Sequence, residues 1–268
     1  MELWQIIVLA AVQGITEFLP ISSDGHLVVL SPLLYGSSTP PPGIASLIIV
    51  LHLGTLLSII VFYWKSIIRL LGEDRRVLGL MVIGTLPAVI VGLPIKMLAE
   101  PILESVWLAG VMLPVSGMAL LWLRRFPQKG RDYHELSATD AWWIGVFQAA
   151  AILPGLSRSG STIATGVTRG LSQPSAATFS FLLAIPAIAG AGVLEVLKHL
   201  VKPSPVSLPI SHALIGGGVA FAVGIVALWW LNQWLQRGRL HWFAWYCIGL
   251  GIVVLVWQFT TLAPAIAG

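Results

Sequence analysis

The chain of 268 residues is 57% hydrophobic and only 10% charged, with a mean hydropathy of +0.89. This composition excludes a soluble globular domain and describes a polytopic membrane protein, so the net charge of +4 reports loop charges rather than an acidic soluble partner. A lone cysteine, Cys247, excludes a disulfide framework and any multi-cysteine zinc site.

The N-terminus lacks a basic n-region and a small-residue cleavage site, so the first apolar segment is expected to remain in the mature protein. Residues 2–15 and 22–35 are two short apolar segments separated at Phe18-Leu19-Pro20. Crossing about 30 Å of hydrocarbon takes roughly 20 helical residues, so neither spans alone. Proline has no backbone N–H and pushes its predecessor out of helix, which places a break at Leu19-Pro20. The reading is a re-entrant hairpin, with Ser22 or Ser23 as the N-cap of a helix starting near Asp24. A proline-rich connection, STPPPG at 38–43, follows.

Residues 44–64 form the first span, ending in Phe62-Tyr63-Trp64 at an aromatic interface, and a basic loop, EDRR at 73–76, comes after it. Spans two and three are expected at 77–98 and 104–123, kinked at Pro87, Pro94 and Pro114, with Glu100 and Glu104 in the turn between them. The polar stretch RRFPQKGRDYHELSATD at 124–140 reads as a solvated loop. Residues 141–152 and 160–171 then repeat the opening pattern around Leu153-Pro154-Gly155, and 175–200, 209–235 and 241–263 supply three more spans.

The expected fold is an all-α polytopic membrane protein of about six transmembrane helices and two re-entrant helical hairpins arranged as an inverted repeat. It is a single membrane domain, 1–268, with a first repeat at 1–125 and a second at 138–265. A shift of 135 positions aligns Gln13 with Gln148, Ser22 with Ser157 and Gly25 with Gly160. Each hairpin precedes three spans, and an odd number of spans inverts the second copy. With the first hairpin placed outside, eleven of the loop Lys and Arg residues fall inside and only Lys96, Lys198 and Lys202 outside, Arg158 being set apart as a site residue.

Two stretches carry chemistry. QGITEFLPISSDGH at 13–26 sets Gln13, Glu17, Ser22, Ser23, Asp24 and His26 inside apolar surroundings, and LPGLSRSGST at 153–162 brings Arg158, the only basic residue between Arg131 and Arg169. Ionisable groups at membrane depth are costly and point to function. Ser22, Gly25, Ser157, Ser159, Gly160 and Thr162 lie at two expected helix N-termini, where N–H groups and the dipole favour phosphate. Arg158 adds a permanently charged fork that can hold two phosphate oxygens, and Glu17 and His26 add acid–base capacity. No Walker loop, dinucleotide fingerprint, zinc-protease motif or kinase signature is present.

These two motifs, in this order, resemble those of the bacterial undecaprenyl-pyrophosphate phosphatase family, also called the bacitracin-resistance protein family. The resemblance covers nearly the whole chain. It implies a multi-pass bacterial inner-membrane hydrolase that removes the terminal phosphate of undecaprenyl diphosphate, giving the monophosphate carrier of envelope glycan (peptidoglycan) synthesis. The family's carboxylate motif maps onto Gln13 and Glu17, its Ser and His onto Ser23 and His26, and its PGxSRSxxT motif onto Pro154, Gly155, Ser157, Arg158, Ser159 and Thr162. Gln13 removes a charge found in many members, which weakens a scheme that needs two carboxylates on a metal. Gln13 and Glu17 remain the candidate ligands for a divalent cation, Mg or Ca, and no organic cofactor is expected. The expected partners are a polyprenyl diphosphate lipid and the bilayer, with a homodimer left open and no nucleic acid.

Two schemes stay open for the chemistry. In the first, Ser23 attacks the terminal phosphorus with His26 as general base, Arg158 stabilises the charge, and Glu17 orients His26 or holds the cation. In the second, His26 is the nucleophile or activates water, and Ser23 only binds phosphate. A lipid flippase using the same phosphate site is the rival function, because broken helices and inverted repeats also build transporters. The orientation derived from charge places the active site on the outer, periplasmic face. His52 in LHLGT and the tryptophans read as packing or interfacial residues.

Overall fold

Proline breaks and glycine contacts determine how this chain folds back on itself. The computed structural model describes residues 1–36, 43–125, 130–201 and 208–266. The proline-rich connection at 38–43, apart from Gly43, and Lys129 and Lys202 of the charge count lie outside the described residues. Among the described residues the chain is helical, without strands.

The first hairpin is α1 (Leu3–Thr16) and α2 (Ser23–Tyr35); then come α3 (Ile44–Phe62), α4 (Trp64–Leu71), α5 (Arg75–Leu98), the single turn α6 (Glu100–Leu103) and α7 (Val106–Trp122). The second hairpin, α8 (Ala138–Ala150) and α9 (Arg158–Thr168), precedes α10 (Gln173–Val201), α11 (Ile210–Gln236) and α12 (His241–Ile266). Helices α3, α5, α10, α11 and α12 are long and apolar enough to cross a membrane. The sixth expected span is α7, an apolar helix of 17 residues and so about 26 Å long at 1.5 Å per residue.

Small residues bring these helices close, as membrane helices require. The first arm of each hairpin packs on a span of the opposite half. On α1, a Cβ at Gly14 would lie 2.9 Å from the Ala220 carbonyl oxygen of α11, and on α8, one at Gly145 would lie 2.2 Å from the Gly84 carbonyl oxygen of α5. The two halves are thereby interlocked. Helices α7 and α12 pack together at Gly117 and Gly251, where added Cβ atoms would reach within 2.6 Å of the Ala244 oxygen and 2.2 Å of Pro114 Cδ.

Two features differ from the sequence expectations. Lys65 and Arg69 ride on a separate helix, α4, which buries Leu70 while Trp64, Lys65 and Arg69 stay exposed. The stretch at 124–140 is more than a solvated loop, since Tyr133, Leu136 and Asp140 are buried. The cause is a set of side-chain clamps on its backbone: Arg76 donates to the carbonyls of His134 (2.7 Å) and Leu136 (2.5 Å). Arg131 also exchanges backbone hydrogen bonds with Gly170 and Ser172, tying the stretch to the turn after α9.

Candidate active site

The site forms where the two broken tips cross. Pro20 cannot extend α1, and the chain reverses through Ser22 at φ 70, the sole non-glycine residue with positive φ among those described. Such a conformation costs about 1–3 kcal/mol and persists only where the surroundings impose it. Here Ser22 Oγ accepts hydrogen bonds from its own helix, at Gly25 N (3.2 Å), and from the other tip, at Gly155 N (3.1 Å). Ser22 is therefore the N-cap of α2, one of the two residues expected for that role.

The second tip is built the same way. Ser157 caps α9 by accepting from Gly160 N at 3.0 Å, and its own N–H donates to Ser116 Oγ on α7 at 2.8 Å. The shift of 135 that relates Ser22 and Gly25 to Ser157 and Gly160 is thus a shared cap geometry. Across the crossing, Ser159 Oγ donates to the Leu19 carbonyl at 3.1 Å, while Thr162 Oγ1 donates to the Arg158 carbonyl at 2.8 Å and lies 2.5 Å from Ser180 Oγ. A Cβ on Gly25 would fall 2.8 Å from Gly155 Cα, and one on Gly160 would fall 3.3 Å from Pro20 Cβ. Ser22, Ser157, Ser159 and Thr162 are all buried: the hydroxyls of Ser22 and Ser159 bind the tips to each other, those of Ser157 and Thr162 fix the start of α9, and Gly25 lets the two backbones meet.

On this seat lies a charged cluster. Glu17, 5% exposed, pairs with Arg158 through Oε1 and Nη2. Its other oxygen, Oε2, accepts from Ser23 Oγ at 2.7 Å and from Gln13 Nε2 at 3.0 Å. His52 Nε2 stands 3.8 Å from Glu17 Oε2 and 3.6 Å from Asp24 Oδ1. Two buried atoms in this cluster have no protein partner, Arg158 Nη1 and Gln13 Oε1. A buried guanidinium N–H without a partner is costly, and an anion would satisfy it. The cluster opens at Asp24, whose side chain is 54% exposed, and Ser23 and His26 are half-buried.

His26 occupies a different position from the one its spacing suggests. Its Nδ1 lies 2.6 Å from the Ser22 carbonyl and its Nε2 lies 2.8 Å from Tyr246 Oη on α12, with the two rings stacked 5.7 Å apart. The serine hydroxyl donates to Glu17 instead of to His26. The structure thus gathers Gln13, Glu17, Ser23, Arg158 and the two capped tips, and sets His26 beside them facing α12.

His52 and Tyr246 are the residues that sequence reasoning passed over. His52 is the one ionisable side chain of α3, which is the signal that could have raised it above a packing role. Tyr246 sits in the run HWFAWYC, where aromatic residues read as interface anchors.

The model of the family described as bacitracin resistance protein BacA matches residues 6–253. An undecaprenyl-diphosphatase of Rhodopirellula baltica is 52% identical over 257 residues, covering 95% of this chain and 98% of the relative. One from Desulforudis audaxviator is 38% identical, covering 93% and 95% of the two chains. Undecaprenyl-diphosphatase 1 of Corynebacterium jeikeium is 34% identical, covering 94% and 92%.

Proposed function

The chain belongs to the bacitracin resistance protein BacA family, and we propose that the cluster of Glu17, Ser23, His26 and Arg158 is where it works. It is an integral-membrane undecaprenyl-diphosphate phosphatase that hydrolyses a phosphoric anhydride and yields undecaprenyl phosphate for peptidoglycan synthesis. The observation that carries the assignment of the site is the pairing of Glu17 with both Ser23 and Arg158 at the crossing of two capped tips.

Ser23 Oγ attacks the terminal phosphorus while its proton passes to Glu17 Oε2, the acceptor it already faces at 2.7 Å. An Oγ–P bond forms, the bridging O–P bond breaks, and undecaprenyl phosphate leaves with that oxygen. Water then attacks the phosphoserine with His26 taking its proton; the Oγ–P bond breaks, and Glu17 returns the proton to Ser23. Arg158 holds the transferring phosphoryl group through Nη1, the nitrogen that lacks a protein partner, supplementing the N-terminal dipoles of α2 and α9. Ser22, Ser157, Ser159 and Thr162, with Gly25 and Gly160, shape the phosphate seat: the hydroxyls of Ser22 and Ser159 hold the two tips together, and those of Ser157 and Thr162 fix the start of α9.

A divalent cation, Mg or Ca, fits the hard oxygen donors Glu17 and Gln13 Oε1, the latter buried and unpartnered. When bound it would neutralise diphosphate charge. Among the described residues no group of three or more His, Cys, Asp or Glu is placed to hold a metal. Residues 1–125 and 138–265 are the two inverted repeats, and the site opens to the outer face of the bacterial inner membrane. Phosphate release from undecaprenyl diphosphate by the purified protein in detergent, with and without chelator, tests this reading. Wild-type release and none from Ser23→Ala support it; substrate movement without release is the transporter outcome and opposes it.

A further inference from the structure

Tyr246 lies on the last span, far in sequence from either motif, yet its hydroxyl is hydrogen-bonded to His26 Nε2. The Ser22 carbonyl 2.6 Å from Nδ1 can only accept, so Nδ1 carries the hydrogen. In the neutral ring Nε2 is then the acceptor, and Tyr246 O–H donates to it at 2.8 Å. The rings are stacked with 1° between their planes, so ring and hydroxyl together fix both the tilt and the tautomer of the imidazole. Tyr246 itself is 47% exposed, at the rim of the protein rather than in its core. Its neighbour Cys247 is buried and reaches the Pro20 carbonyl at 3.6 Å, which seats this turn of α12 on the first hairpin's break.

The bond from Tyr246 to Nε2 holds the one nitrogen of His26 that is able to take a proton. We propose that Tyr246 is a positioning residue for His26: it keeps Nε2 as the proton acceptor, fixes the ring beside the phosphate seat, and covers that nitrogen until the lipid head group enters. The inference rests on the reading of His26 as the base of the hydrolytic step.

Tyr246→Phe keeps the ring and its stacking and removes only the hydroxyl. The expected result is a fall in kcat of at least tenfold with KM within twofold of wild type. His26 should also react several-fold faster with diethyl pyrocarbonate, which acylates an unprotonated imidazole nitrogen; the label is read by mass spectrometry against His134 in the same digest. A kcat within twofold of wild type overturns the proposal, and so does a lowered kcat with unchanged His26 labelling. Tyr246→Leu, which also removes the stack, should fall at least as far as Tyr246→Phe; loss in Tyr246→Leu beside retained turnover in Tyr246→Phe would assign the effect to packing and overturn the proposal. His26→Ala separates the two levels: wild-type turnover in that variant sinks the reading of the site, whereas a dead His26→Ala beside an unaffected Tyr246→Phe sinks only the role of Tyr246.

Discussion

Glu17 and Arg158 are ion-paired across 141 positions of sequence, joining the tip of the first hairpin to that of the second. Glu17 is buried and the Arg158 side chain is only 17% exposed, and removing one partner of a buried pair typically costs about 3–5 kcal/mol because the other charge is left uncompensated. The same contact that places the fork of Arg158 at the phosphate seat therefore also holds the two halves together.

Arg158→Lys keeps the charge but loses the planar fork that binds Glu17 with one nitrogen and leaves the other for phosphate. Turnover should fall more than tenfold, equivalent to more than about 1.4 kcal/mol of transition-state stabilisation. Arg169→Lys, which alters a loop-side partner of Asp140, should retain near-wild-type turnover. Initial-rate phosphate release from the two purified variants checks this, and equal rates would refute the role of Arg158.

The crossing of the tips is sterically exacting at one glycine. Gly25→Ala would drive a Cβ to 2.8 Å from Gly155 Cα and 2.9 Å from its nitrogen, which are backbone atoms that cannot rotate away. Activity should be lost and the melting temperature in detergent lowered. Gly79→Ala on α5 meets nothing within 4 Å and should leave turnover intact, with a slight gain in stability from the better helix former.

Asp140 sits at the mouth of the second hairpin. Burial pushes its carboxyl up, but the Ser137 backbone N–H and the guanidinium of Arg169 outweigh it and hold the carboxyl below the usual range. A carboxylate whose folded pKa is depressed adds stability above its unfolded pKa of about 3.9 and loses it as pH falls through the folded value. Asp140→Asn should thus be destabilised by ~1–2 kcal/mol at neutral pH, and the difference from wild type should close below about pH 4. Thermal melts across pH read this, and a gap unchanged at acid pH would contradict it.

Orientation is tested by position. Glu73 and Glu104 are both exposed and flank α5 at its two ends. In intact cells an impermeant thiol reagent should label Glu104→Cys and reach Glu73→Cys only after lysis, the native Cys247 being buried. Labelling from the same side, or in the reverse order, would overturn the outward-facing site.

Much of this arrangement is legible in local chemistry. Pro20 and Pro154 mark the two breaks because a missing N–H acts on its own turn, and Ser22 and Ser157 mark the caps because a hydroxyl reaches only three residues along. What local pattern does not carry is which hydroxyl meets which partner. Ser23 and His26 are three apart on one helix, which favours a serine–histidine pair, yet Ser23 turns to Glu17 and His26 to Tyr246. Both outcomes depend on how α1 and α12 pack against α2. The stretch at 124–140 reads as a solvated loop for a similar reason: the polarity of its described part, 130–140, is spent on clamps from Arg76 and Arg131.

The central claim is that Ser23, deprotonated by Glu17, takes the phosphoryl group. Rapid quenching of the enzyme with undecaprenyl diphosphate labelled in its terminal phosphate, followed by peptide mapping, tests it most directly. The account predicts label on Ser23, accumulating in His26→Ala, where the water step is slowed, and no phosphate release from Ser23→Ala. Label on His26, or appreciable turnover in Ser23→Ala with His26→Ala inactive, would contradict it.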